Sequence, residues 1–95
     1  MARQIKLSVV VPAYNEEKII ENTLKAITKY LSEKKYSWEI VISDDGSSDA
    51  TSKIVTKLKS ERIRLVGSSQ NQGKGAALKR GVLAANGDFV IFMCC

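Results

Sequence analysis

Four short apolar runs rich in β-branched residues alternate with three amphipathic segments, and this alternation restricts the fold more than any other feature of the chain. The runs are Ile5-Lys6-Leu7-Ser8-Val9-Val10-Val11, Trp38 to Ser43, Ile63-Arg64-Leu65-Val66 and Phe89-Val90-Ile91-Phe92-Met93. Each has the length and composition of a strand. Pro12 ends the first, because proline cannot donate to a ladder. The first helix opens at Asn15, a good N-cap; Glu16 and Glu17 complement its dipole, and Ile20, Leu24, Ile27 and Leu31 recur at helical spacing. A second helix runs from Asp49 to Leu58, capped by Ser47 or Ser48, with Ile54, Val55 and Leu58 inward. A third runs from about Lys74 to Ala85, its inner face being Ala77, Leu78, Gly81, Val82 and Ala85, and Asn86-Gly87 closes it. Strict alternation of strand and helix implies right-handed βαβ crossovers. The expected fold is therefore α/β, a β-α-β-α-β-α-β Rossmann-like parallel sheet.

With 95 residues there is room for one domain, residues 1–95, and the 44% apolar share supports a folded rather than disordered chain. The net charge of +5 comes from Lys and Arg spread along the helices, without a block of five or more, so a nucleic-acid partner is not expected. No stretch approaches the ~20 apolar residues of a membrane span, and no signal-peptide core is visible, so the expected location is cytoplasmic. The two cysteines, Cys94 and Cys95, are adjacent and poorly placed for a disulfide. Without a histidine, one chain cannot build a structural zinc site from them.

Chemistry concentrates in Ile40-Val41-Ile42-Ser43-Asp44-Asp45-Gly46-Ser47-Ser48-Asp49. A buried strand delivers its last side chains to the carboxyl edge of a parallel sheet, where open α/β folds bind ligands. Asp44 and Asp45 stand at that edge, and Gly46 permits the reversal. A dehydrogenase is disfavoured because no Gly-x-Gly-x-x-Gly follows the first strand. A P-loop is excluded by spacing, since Gly73-Lys74-Gly75 follows the third strand.

Four ordered blocks carry a resemblance: Val9 to Glu17 with Pro12-Ala13-Tyr14-Asn15, Glu39 to Asp49, Asn71-Gln72-Gly73-Lys74-Gly75-Ala76-Ala77, and Gly87-Asp88-Phe89 to Met93. Together they resemble the opening of a family 2 glycosyltransferase, closest in flavour to dolichyl-phosphate mannose or glucose synthases. The resemblance implies the nucleotide-binding N-terminal half of a GT-A fold. It further implies that Pro12, Tyr14 and Glu16 surround base and ribose, that Asp44 accepts a hydrogen bond from the base, and that Lys74 belongs to the nucleotide loop. The residue chemistry agrees, since a carboxylate accepts from a base N–H and a lysine approaches negative oxygens. Asp45 and Asp49 read as turn-shaping and helix-capping residues. The implied partner is a UDP- or GDP-sugar, bound weakly. A membrane lipid acceptor, such as polyprenyl phosphate, belongs to the complete family.

One departure alters the expected function. After the fourth strand the family places Asp-X-Asp, which holds Mg²⁺ or Mn²⁺ against the donor diphosphate. Here Cys94 takes the first Asp position and Cys95 the middle one. Hard cations prefer oxygen ligands, so a thiol is no substitute, and neither a metal site nor a cofactor is expected in this chain. The expectation is a truncated, glycosyltransferase-like chain that does not transfer sugar alone. The alternative is a non-catalytic nucleotide-binding or oligomerising module. An unpaired fourth strand favours a homo-oligomer in either case.

Overall fold

The computed structural model describes residues 4–94. Its elements run β1 (Ile5–Ala13), α1 (Ile20–Ser32), β2 (Trp38–Asp45), α2 (Thr51–Leu58), β3 (Ile63–Ser68), α3 (Lys74–Ala84) and β4 (Gly87–Phe92). All strand pairs are parallel, in the order β3-β2-β1-β4. The α/β parallel sheet expected from the alternation is present.

Period-two alternation gives the sheet two unlike faces. Val9, Val11, Ala13, Ile40 and Ile42 form one core with Ile20, Leu24, Ile27 and Leu31 of α1 and Val55 of α2. Burying each large aliphatic side chain there stabilises the fold by about 1.5–3 kcal/mol. The other face is polar toward its edge and lies under α3. Buried Ser8 donates to Glu39 Oε2 at 2.6 Å, Arg64 Nε donates to Glu39 Oε1 at 3.0 Å, and the Asn86 and Gly87 N–H groups donate to Glu39 and Ser8. A carboxyl group buried as deeply as Glu39 is tolerated because Ser8, Arg64 and the Asn86 N–H bond both its oxygens.

Local details differ from the sequence expectations, each for a physical reason. β1 passes through Pro12 to Ala13. Met93 N–H donates to the Val10 carbonyl, so Val10 directs its polar groups toward β4. Pro12, two residues on, presents its nitrogen to the same side, beyond the last β1–β4 pair at Val10 and Phe92, where no ladder donor is needed. Asn15 does not cap α1: it adopts a left-handed φ of 52°, and the helix begins at Ile20 after a turn closed by Ile19 and Ile20 N–H donating to the Glu16 carbonyl. Neither Ser47 nor Ser48 caps α2. Its entry is satisfied by Glu17, which accepts from Ala50 N–H at 2.9 Å, and by Asp49, which accepts from Thr51 N–H at 2.9 Å. On α3 only Ala77 and Gly81 are buried, and Val82 is exposed. The helix is seated on Gly81, where an added Cβ would collide with Val10 Cγ1, and that contact turns Val82 outward. Among the described residues no helix is long and apolar enough to cross a membrane.

Candidate functional site

In this strand order, chain progression leaves β1 toward β2 on one side while β4 returns on the other. The carboxyl ends of β1 and β4 thus flank a topological switch point, where open α/β sheets leave a crevice. A cleft of about 250 Å³ occupies that position. Pro12, Ala13 and Tyr14 from the end of β1 line it, with Glu16, Asp45 at the end of β2, Gly73 and Lys74 at the start of α3, and Cys94 after β4.

Four of the five residues expected at a nucleotide site, Pro12, Tyr14, Glu16 and Lys74, share this cleft. Asp44 is not on its wall. Ser43 and Asp45 both face Arg80 of α3, so Asp44 between them points to the opposite side of the sheet. There its carboxylate accepts from the Ser47 hydroxyl and, at 3.3 Å, from Ser47 N–H, which fixes the turn at Gly46. Gly46 itself has φ 74°, and a Cβ there would stand 2.5 Å from the Gln70 carbonyl carbon. Only glycine lets this turn touch the loop before α3.

Asp45 reaches the cleft. Only 3% exposed, it accepts from Gln72 N–H at 3.0 Å through Oδ1 and from Gly73 N–H at 2.8 Å through Oδ2. The loop before α3 is thereby pinned to the end of β2. On the opposite wall, the segment after β1 is laced to the entry of α2. Asn15 N–H donates to Ser47 Oγ, Ser48 N–H to Asn15 Oδ1, Glu16 N–H to Thr51 Oγ1 and Glu17 N–H to Asp49 Oδ2, at 2.8 to 3.2 Å. These bonds hold Tyr14 and Glu16 on the rim. Burial opposes ionisation of Asp49, yet hydrogen bonds from the Thr51 hydroxyl and from backbone N–H groups hold its carboxyl below the ordinary value of 3.8.

The cleft carries mixed charge, with Glu16 and Asp45 against Lys74. The Cys94 side chain beside Lys74 holds its ammonium above the ordinary lysine value of 10.5, by hydrogen bonding and by charge attraction, with desolvation acting the other way. The donor set does not fit a divalent cation. The cleft offers two carboxylates, Glu16 and Asp45, beside the soft thiol of Cys94, and no group of three His, Cys, Asp or Glu able to hold a metal occurs among the described residues. Cys95 lies outside them.

Asp45, expected only to shape the turn, lines the cleft, and Arg80, not singled out in the sequence, reaches the same strand face. The available signal was the spacing Glu39, Ser43, Asp45, which puts polar groups on one face of an otherwise apolar strand.

A profile described as "Glycosyl transferase family 2" matches residues 8–93. The chain is 46% identical over 98 residues to a dolichyl-phosphate beta-glucosyltransferase of Dictyostelium discoideum, covering 94% of this chain and 30% of that protein. It is 42% identical to the Saccharomyces cerevisiae protein of the same description, over 94% of this chain and 29% of the relative. It thus spans about three-tenths of the length of these curated relatives. Among solved structures, S. aureus TarS 1-349 in complex with UDP superposes with a TM-score of 0.82 at 32% identity, over 95% of this chain and 27% of that 1-349 chain. The mannosyltransferase PcManGT from Pyrobaculum calidifontis, in complex with GDP-Man and Mn²⁺, gives 0.78 at 28% identity, over 97% of this chain and 28% of its own. These neighbours are GT-A glycosyltransferases.

Proposed function

This chain belongs to glycosyl transferase family 2, and on that premise we propose that its cleft holds the nucleotide of a UDP- or GDP-sugar. The observation that carries the reading is the convergence of Pro12, Tyr14, Glu16, Asp45 and Lys74 at the switch point between β1 and β4. Tyr14, nearly half exposed, offers an aromatic face to the base. Asp45 has used two of the roughly four acceptor positions of a carboxylate and keeps capacity for a base N–H. Glu16 is placed for a ribose hydroxyl. Lys74, at the N-terminal end of α3, supplies positive charge for the diphosphate, reinforced by the helix dipole. Asp44 supports the site at one remove by holding the Ser47 turn.

The activity served is hexosyl transfer. An acceptor oxygen attacks the anomeric carbon, the bond from that carbon to the diphosphate oxygen breaks, and the nucleoside diphosphate departs. The descriptions of the curated relatives favour a dolichyl-phosphate-type acceptor and glucose as the sugar. We assign donor binding to this chain and no transfer by it alone: the described residues offer no fitting metal set to offset leaving-group charge, so no step is routed through a metal.

Titration of the chain with UDP, GDP, ADP and CDP by NMR tests the reading. With a few contacts and no metal, a Kd of about 0.1–1 mM for UDP or GDP is expected. Equal shifts with all four nucleotides, or none, would overturn it. The exposed apolar side chains of β4 favour a second reading, an oligomerising module built from copies of this chain.

A further inference from the structure

We propose that Arg80 is a positioning residue for the nucleotide cleft, setting the separation between the end of β2 and the start of α3 without touching the ligand. The inference rests on the nucleotide reading given above and goes beyond it. Arg80 does not line the cleft. From within α3 its side chain, 21% exposed, carries a guanidinium that forks to three groups. Nη2 donates to Gln72 Oε1 at 2.8 Å, Nη1 donates to buried Ser43 Oγ at 3.3 Å, and Nη2 stands 3.9 Å from Asp45 Oδ1. Asp45 in turn accepts the N–H groups of Gln72 and Gly73. Gln72 is therefore held twice, by its backbone through Asp45 and by its side chain through Arg80.

This double hold fixes the two residues that follow. Gly73 has a φ of 100°, which lets the loop turn into α3, and Lys74 is the first residue of the helix and part of the cleft wall. Arg80 reaches back from α3 to bond this loop and β2 at once, and so makes loop and helix one rigid piece on the strand. A rigid planar fork is what such a bridge requires, because lysine has the charge but cannot span three acceptors from one position. Loss of the fork frees the Gln72 side chain and leaves Asp45 to hold the loop alone. Lys74 then samples a wider range of positions, and the cost falls on preorganisation of the site.

The test compares the unaltered chain with Arg80→Met, which keeps the apolar stem, and Arg80→Lys, which keeps the charge. Amide exchange at Gln72 and Gly73 is read by NMR without nucleotide, with Val10 and Val41 in the central strands as internal standards, and UDP affinity is read separately. In Arg80→Met, exchange at Gln72 and Gly73 is expected to quicken about tenfold while the central strands hold their protection. UDP affinity should fall about tenfold, with Arg80→Lys between the two. Unchanged Gln72 and Gly73 exchange would overturn the proposal, as would equal acceleration across the sheet, which marks a general loss of stability. If Arg80→Met does not fold, Arg80→Lys decides by the same comparison, and failure of both to fold assigns Arg80 to the core and overturns its positioning role. A chain that fails to bind UDP at all removes the nucleotide reading, while the exchange data still judge Arg80.

Discussion

At the scale of single residues, Asp44 and Asp45 divide one sheet edge between them. Asp45→Asn replaces a charged acceptor of two backbone N–H groups by an amide that can accept only through its oxygen, leaving one donor opposed by an NH₂ group. A hydrogen bond to a charged group contributes about 1.5–3 kcal/mol, so UDP affinity measured by titration should fall at least tenfold. Asp44→Asn can keep both contacts, its oxygen accepting from Ser47 N–H and its NH₂ donating to the Ser47 hydroxyl, and should change that affinity less than about threefold. A second residue-scale prediction concerns acid. The folded Asp49 carboxyl titrates below 3.8, so the stability it contributes is fully present above 3.8 and is lost as pH falls through the depressed value. Thermal melts of the unaltered chain and Asp49→Asn should differ at neutral pH and converge below that region. The residue types were legible in the sequence, yet their directions were less so. Asp45 reads as ordinary turn chemistry until β2 is seen to run to its end, and Asn15 reads as an N-cap until its φ of 52° redirects its side chain to Ser48.

At the scale of elements, apolar β-branched runs located the strands and hydrophobic periodicity the helices. It fixed the face of α1, where Ile20, Leu24, Ile27 and Leu31 are all buried. On α3 it placed Ala77 and Gly81 correctly and missed only Val82, which is exposed, while Arg80 turns to the sheet beside Gly81. Close approach of backbone to Val10, and not apolar area, decides that packing, and a periodicity argument counts only area. Gly81→Ala drives a methyl into Val10 Cγ1, a stiff β-branched tip. The helix must lift or Val10 must leave its rotamer, at a cost of about 1–3 kcal/mol. Urea denaturation should show the midpoint falling accordingly. The displacement reaches the cleft through Arg80, so UDP binding should weaken in the same variant.

At the scale of the whole molecule, the sheet of the described residues has two edge strands of unlike character. Each edge strand pairs with one neighbour among the described residues, but β3 keeps Ile63 buried and Leu65 and Val66 half-buried, whereas β4 exposes Phe89, Ile91 and Phe92 at 60%, 45% and 55%. Ile91 also borders an apolar groove of about 450 Å³ with Val9, Ile27 and Tyr30. Such an edge offers unpaired backbone groups together with apolar side chains, the combination that recruits another strand. Lys6 partly guards it, with its ammonium 5.0 Å from the Phe89 ring centre, so association is expected to centre on Ile91 and Phe92 and to remain reversible. Light scattering in reducing buffer over a concentration series should show a mass rising above the 10.5 kDa of one chain. Ile91→Lys should return the monomer, because a charge at the seam must be desolvated for the strands to meet. The same variant should bind UDP within about twofold of the unaltered chain, since Ile91 lies outside the nucleotide cleft and an exposed position costs little when substituted. A monomer at every concentration, with circular dichroism confirming the fold, would reject the open edge as a site of assembly while leaving donor binding at the β1–β4 switch point untouched.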